Sequence, residues 1–117
     1  MKKIKDDISI GDSIVILDRD IAISDAENKI ATLRSERSKS IVRSAIVNIN
    51  SDYNSDKVLG GNIGAKYTVI NIENSNSRHP KGTELYYLSK NGKSSCMPYG
   101  IYGFSIKKIS EYTVDLI

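Results

Sequence analysis

The sequence predicts a mainly β fold, a small barrel or sandwich of six to seven short strands with one short helix inserted near residues 25–37. Three observations point there. The apolar content rests on 18 Ile and seven Tyr, with no Trp and one Phe, and Ile and Tyr both fit a pleated, half-buried surface. β-Branched runs recur at short intervals between clusters of Gly, Asn, Asp and Ser. The 117 residues, 39% hydrophobic and 26% charged, supply one modest core, so a single domain is expected over residues 1–117.

Gly11-Asp12 is turn chemistry and feeds the β-branched run Ile14-Val15-Ile16-Leu17, which Asp18, Arg19 and Asp20 close. Residues 24–37 carry the helix signal. Ser24 and Glu27 have the spacing of a capping box, and Ile23, Ala26, Ile30 and Leu33 recur every three or four residues. A pair of short strands, Ile21-Ala22-Ile23 and Ile30-Ala31-Thr32-Leu33, is the alternative for this region. Ile41 to Ile49 reads as a strand, Asn50 to Gly64 as a loop, and Lys66 to Ile72 as a strand. After a polar loop from Glu73 to Gly82, Glu84 to Ser89 forms one arm of a hairpin. Asn91-Gly92 suits the positive φ of a type I′ turn, and Lys93 to Met97 returns. Phe104 to Ile109 and Glu111 to Ile117 supply the last strands.

Charge is small in total and uneven in place. The net +3 divides into −3 over residues 1–28, +4 over residues 29–43 and +2 over the rest. Lys29, Arg34, Arg37, Lys39 and Arg43 carry the basic stretch, a candidate phosphate-binding surface against the alternative of a solvated face. One cysteine, Cys96, excludes an intramolecular disulfide and a cysteine-rich zinc framework, and a lone thiol suits a reducing compartment. Asp6 and Asp7 stand where a signal peptide would need apolar residues, and no apolar run approaches a membrane span. A cytoplasmic protein without cofactors is expected.

In the C-terminal half, Gly64-Ala65-Lys66-Tyr67-Thr68-Val69-Ile70 is followed by a polar loop, then Glu84-Leu85-Tyr86-Tyr87-Leu88, an Asn-Gly turn and Phe104-Ser105-Ile106-Lys107-Lys108-Ile109. Together with the opening Gly11-Asp12-Ser13-Ile14-Val15-Ile16, this cadence resembles the small SH3-like barrels of phage and mobile-element proteins. It covers roughly 60 of the 117 residues, all at degenerate positions. The resemblance implies an architecture and a phage or mobile-element source. The many Ile, Lys and Asn, against five Arg and five Ala, also fit an AT-rich genome.

Candidate chemistry is sparse. Gly60 to Tyr67 is rich in glycine, but Ala65 separates Gly64 from Lys66, and Tyr67 stands where a phosphate loop needs Ser or Thr. Asp52, Asn54 and Asp56 open like a calcium loop, yet Lys57 replaces its glycine and Ile63 its final Glu. His79, the sole histidine, has no ligand partner nearby in sequence. The tyrosines offer more. Tyr86 and Tyr87 are adjacent on a strand and point to opposite faces, while Tyr99 and Tyr102 lie among glycines. With Lys90, Lys93, Lys107 and Lys108 they could form a stacking platform for single-stranded nucleic acid or the centre of a protein interface.

The leading expectation is a non-enzymatic binding module that docks on a host or viral protein through Tyr86, Tyr87, Tyr99 and Tyr102, for instance as an inhibitor of a host factor or defence enzyme. The alternative is nucleic-acid binding through Arg34, Arg37, Lys39 and Arg43. A third reading is capture of a small anionic ligand such as a nucleotide. Self-association through open edge strands is compatible with each.

Overall fold

The computed structural model describes residues 8–55, 57–59, 61–76, 78–90 and 100–109. Their order begins with β1 (Ser13–Ile16), α1 (Arg19–Thr32) and α2 (Glu36–Asp52). Three two-residue strands follow, β2 (Tyr53–Asn54), β3 (Lys57–Val58) and β4 (Gly61–Asn62). Then come β5 (Lys66–Glu73), β6 (Leu85–Ser89), β7 (Ile101–Tyr102), a 3-10 turn (Gly103–Ser105) and β8 (Ile106–Lys108). The mainly β expectation is thereby corrected. Two helices stand beside two antiparallel sheets, ordered β7-β6-β5-β1-β8 and β2-β3-β4, and no barrel closes among the described residues.

The larger sheet follows the alternation in the sequence. Ile14 lies opposite Tyr67, Ile16 opposite Ile106, Val69 opposite Leu88 and Tyr86 opposite Ile101. Because side chains alternate between faces, these residues fall together on one face and form a buried cluster. The β5–β6 register shifts between Val69 and Asn71, a bulge that lets the eight-residue β5 continue beside β6.

The principal error of the sequence reading lies at residues 41–49, which are helix. Ile41, Val42, Ile46, Val47 and Ile49 favour strands by type, but their burial follows helical spacing. Val42, Ala45 and Ile49 are buried, three and four residues apart, whereas Val47 is 66% exposed. In a strand Ala45, Val47 and Ile49 would share one face. Burying Val42 and Ile49 is worth about 1.5–3 kcal/mol each, more than the fraction of a kcal/mol by which β-branched residues disfavour a helix. Ser35 starts the element, its hydroxyl accepting from the Ser38 amide at 3.1 Å.

The helix expected near residues 25–37 exists in altered form. It begins at Arg19 and stops at Thr32, so Ser24 and Glu27 lie in its interior and form no capping box. Asp18 is the N-cap, and its carbonyl accepts from the Ala22 amide at 3.0 Å. Leu33 turns to extended backbone and Ser35 opens α2, which makes a helical hairpin. The predicted stripe does face inward. Ala22 and Ala26 are buried with Val42, Ile49 and Phe104, and Ile23, Ile30 and Leu33 pack around them.

Tyr53 joins the helical layer to the sheet. Its ring packs against both apolar clusters, and its hydroxyl donates to the Leu17 carbonyl at 2.7 Å. Burial pushes its phenol above the ordinary value. The loop expected at 50–64 contains the three short strands, and the expected strand 104–109 divides into the 3-10 turn and β8. The Asn91-Gly92 hairpin turn, its return arm to Met97 and the closing strand 111–117 lie outside the described residues. No helix among the described residues is long and apolar enough to cross a membrane.

Candidate functional site

A cleft of about 610 Å³ lies between α1 and the sheet. One flank of α1 forms its first wall. Asp25, Asn28, Lys29 and Thr32 are spaced i, i+3, i+4 and i+7, so they line up along one side of the helix. Lys107 and Lys108 of β8 and Lys81 of the loop before β6 complete the rim. The floor is apolar, with Leu17, Tyr86, Phe104 and Ile106. Glu84 is the buried acid of the site.

Residues 80–84 hold Lys81 at the cleft mouth through a dense set of local bonds. The Thr83 hydroxyl donates to the Pro80 carbonyl at 2.7 Å, and the Thr83 amide donates to the same oxygen at 3.1 Å. The Glu84 carboxylate accepts from the Gly82 amide and the Tyr86 hydroxyl, both at 2.7 Å. Across the loop, the Gly103 amide donates to the Glu84 carbonyl at 3.0 Å and the Phe104 amide to the Gly82 carbonyl at 3.1 Å. Gly82 is required for this arrangement. Its φ is +105°, and a Cβ there would lie 2.6 Å from Phe104 Cδ1. The charge-assisted bonds to Glu84 satisfy a carboxylate that would otherwise be costly to bury.

Four lysines and two carboxylates, Asp25 and Glu84, leave the cleft with a balance of +2. Part of it is engaged within the protein, since Lys108 Nζ lies 3.4 Å from Asp12 Oδ2. Two smaller cavities lie near the cleft, and only the first of them shares residues with it. One of about 310 Å³ shares Ile8, Lys81, Glu84 and Tyr86 with it. A third of about 270 Å³ shares Asn74 and His79 with the second, and Ser40, Ile41 and Ser44 of α2 form its far wall.

The residues singled out in the sequence do not assemble into one surface. Tyr86 is buried in the sheet core and contributes to the cleft floor. Tyr87 is partly exposed and donates to Glu73 Oε1 at 3.0 Å, which holds its phenol above the ordinary value. Tyr102 is partly exposed, and its hydroxyl accepts from Asn48 Nδ2 at 2.8 Å. Tyr99 and Cys96 lie outside the described residues.

The basic stretch is likewise dispersed. Lys29 faces the cleft from α1, and Arg34 is exposed between the helices. Lys39 and Arg43 share the Glu36 carboxylate, each at 3.7 Å. Arg37 sits about 160° around α2 from Lys39 by helical geometry. Lys81 and Glu84 are the site residues that the sequence reading missed. The turn chemistry of Pro80-Lys81-Gly82 was the available signal, and it says nothing of the α1 wall opposite.

Asp52 ends α2 and Asn54 belongs to β2, while Asp56 lies outside the described residues. His79 Nδ1 is 3.1 Å from Asn76 Oδ1 within its own loop. The Tyr67 hydroxyl accepts from the Asn62 amide at 2.9 Å, so the glycine-rich segment folds back on its own strand. No group of three or more His, Cys, Asp or Glu among the described residues is placed to hold a metal. No protein-family model matches the chain, and comparison with curated proteins and with solved structures finds no match.

Proposed function

We propose that the protein is a non-enzymatic binding module, that the cleft between α1 and the sheet is its ligand site, and that the ligand is a small phosphate-bearing molecule such as a nucleotide. The observation that carries this reading is the convergence of Lys29, Lys81, Lys107 and Lys108 around an apolar, aromatic-containing floor. A volume of about 610 Å³ falls within the roughly 300–1,000 Å³ of small-molecule sites. With the Lys108–Asp12 pair discounted the lining is still net positive, which favours a phosphate-bearing ligand over a neutral one. The apolar side of the cleft, where Ile8 and Leu17 are partly exposed above the buried Tyr86 and Phe104, faces the organic part of such a molecule, while the lysines hold the charged end.

Docking on a protein through the tyrosines draws less support. Tyr86 is enclosed in the core, and the Tyr87 and Tyr102 hydroxyls are committed to Glu73 and Asn48. A nucleic-acid surface along residues 29–43 draws less as well, because Arg37 and the Lys39–Arg43 pair occupy different flanks of α2.

Thermal unfolding against inorganic phosphate, nucleoside monophosphates and nucleoside triphosphates tests the proposal. A ligand at a hundred times its Kd adds about 2.7 kcal/mol of stability and raises Tm by several degrees. The Lys29→Glu/Lys107→Glu variant is expected to abolish that rise. No rise with any nucleotide at millimolar concentration would sink the proposal.

A further inference from the structure

We infer that the cleft reads hydroxyl groups as well as phosphate, that Asp25 and Asn28 of α1 are the reading residues, and that the ligand is a phosphate ester of a hydroxylated sugar unit. This rests on the reading of the cleft as a phosphate site and names the group that would carry the phosphate there. The polar side chains of the lining differ in how far the fold already engages them. Lys108 pairs with Asp12 across 3.4 Å. Glu84 accepts from the Gly82 amide and the Tyr86 hydroxyl, and the Thr32 hydroxyl donates to the Lys29 carbonyl at 2.8 Å. On the α1 flank, Asp25, Asn28 and Lys29 make no side-chain hydrogen bond or ion pair among the described residues. Asp25 nevertheless stands four residues before Lys29, the favourable order for a pair along a helix. Acid, amide and base thus face the cleft uncommitted, with Lys29 half-buried and the other two exposed.

Their chemistry defines what a ligand must bring. An ionised carboxylate only accepts, so Asp25 needs a donor from the ligand. It repels the phosphate itself, which belongs with Lys29 and the lysines of the rim. Asp25 and Lys29 are about 6 Å apart along the helix axis, four residues at about 1.5 Å each. A ligand that satisfies both therefore carries a donor about one sugar ring away from its phosphate. Asn28, between them in the sequence, offers both a donor and an acceptor. A hydroxyl is likewise both, whereas an ammonium group only donates and is opposed by the net positive lining. Neighbouring hydroxyls on one ring meet the two α1 side chains together. The 2′ and 3′ hydroxyls of a ribose have that arrangement, with a 5′ phosphate left to reach Lys29.

The test compares ligands that differ only in their hydroxyls. Adenosine 5′-monophosphate, its 2′,3′-dideoxy analogue and ribose 5-phosphate are titrated into the intact protein by isothermal calorimetry at low salt. Adenosine monophosphate is expected to bind about tenfold more tightly than the dideoxy analogue, the worth of a hydrogen bond to a charged group. Asp25 is exposed in the interior of α1, where alanine is the better helix former, so Asp25→Ala leaves the fold intact. This variant is expected to lose about fivefold or more in affinity for adenosine monophosphate and to bind the dideoxy analogue as well as the parent does, or better. A flank that is only solvated gives the opposite result for the ribose ligand, because removing a carboxylate makes the cleft more positive and tightens every phosphate ester. Tighter binding of adenosine monophosphate by Asp25→Ala would therefore overturn the inference, as would equal affinity of the parent for the two nucleotides; both outcomes leave the cleft reading standing. Binding of none of the three would remove both. Given the hydroxyl preference, ribose 5-phosphate binding as tightly as adenosine monophosphate identifies a sugar phosphate as the ligand class, and much weaker binding identifies a nucleotide.

Discussion

Gly82→Ala isolates the contact that joins the cleft loop to the helical layer. At φ +105° an alanine carries backbone strain of about 1–2 kcal/mol. Its Cβ would also lie 2.6 Å from Phe104 Cδ1 and 2.6 Å from Cζ, so the ring must leave its seat among Ala22, Ala26, Val42 and Ile49. Overpacking of this kind costs about 1–3 kcal/mol more. The sum, about 2–5 kcal/mol, would lower a urea midpoint by roughly 1–3 M at an m-value near 1.5 kcal/mol/M. Phe104→Ala removes the ring whole, at a cost of about 3–5 kcal/mol, and frees the space that a Cβ would need. In that background Gly82→Ala is expected to cost only its backbone strain, so the double-mutant cycle should show a coupling of about 1–3 kcal/mol. Urea unfolding of the four proteins at 25 °C, followed by far-UV circular dichroism, gives each term. Strictly additive costs, or a Gly82→Ala protein as stable as the parent, would refute the role assigned to the Gly82–Phe104 contact.

Three further substitutions address the helices and the pH response. Ile49→Ala is expected to cost about 2–4 kcal/mol and Val47→Ala less than about 0.5, because only Ile49 is buried; equal costs in urea unfolding would favour the strand reading of 41–49. Ser35→Ala removes the cap of α2 and is expected to cost about 1 kcal/mol, with Ser35→Gly recovering most of it in thermal unfolding. Burial raises the Asp52 carboxyl above its ordinary 3.8, so the folded state tolerates the protonated acid and is penalised once it ionises. That relative stability is fully present below pH 3.8 and lost as pH rises through the elevated value. Asp52→Asn should therefore gain on the parent as pH rises from 3.8 through the elevated value and then hold level, and a difference of opposite sign in urea midpoints would contradict the assignment.

The strands β1, β5 and β6 were legible because their burial has the period that the sequence displays. Ile14 and Ile16, Tyr67 and Val69, and Tyr86 and Leu88 all alternate, and each pair ends on the inner face. α2 was not legible from residue types. Its β-branched residues fit either element, and the deciding quantity is which of Val47 and Ile49 meets an apolar partner, something only the position of α1 and Phe104 fixes. The site was less legible still. Lys29, Lys81 and Lys107 converge from three distant segments, so no local motif announces them. The visible basic cluster at 29–43 was a consequence of spacing in sequence, and helical geometry puts Arg37 on a different flank of α2 from the Lys39–Arg43 pair that shares Glu36. Tyr86 and Tyr87 were correctly placed on opposite faces, but the period alone does not say which face the core covers.

The cleft and the stability of the fold are coupled at some residues and separable at others. Its width is set by how closely α1 approaches the sheet. Phe104 fixes that approach, wedged between Ala22 and Ala26 of α1 on one side and the Gly82 loop on the other. Gly82→Ala is therefore expected to lower both stability and nucleotide affinity, since a displaced ring moves the α1 wall and Lys81 together. Lys107 lies on the exposed rim, so Lys107→Ala is expected to change stability by no more than about 0.5 kcal/mol while weakening nucleotide affinity and flattening its salt dependence. The comparison is decisive because the two substitutions reach the site by different physical routes, one through packing and one through charge. A Lys107→Ala protein that binds as tightly as the parent at low salt would show that the lysine rim is only a solvated edge, however well the fold around it is understood.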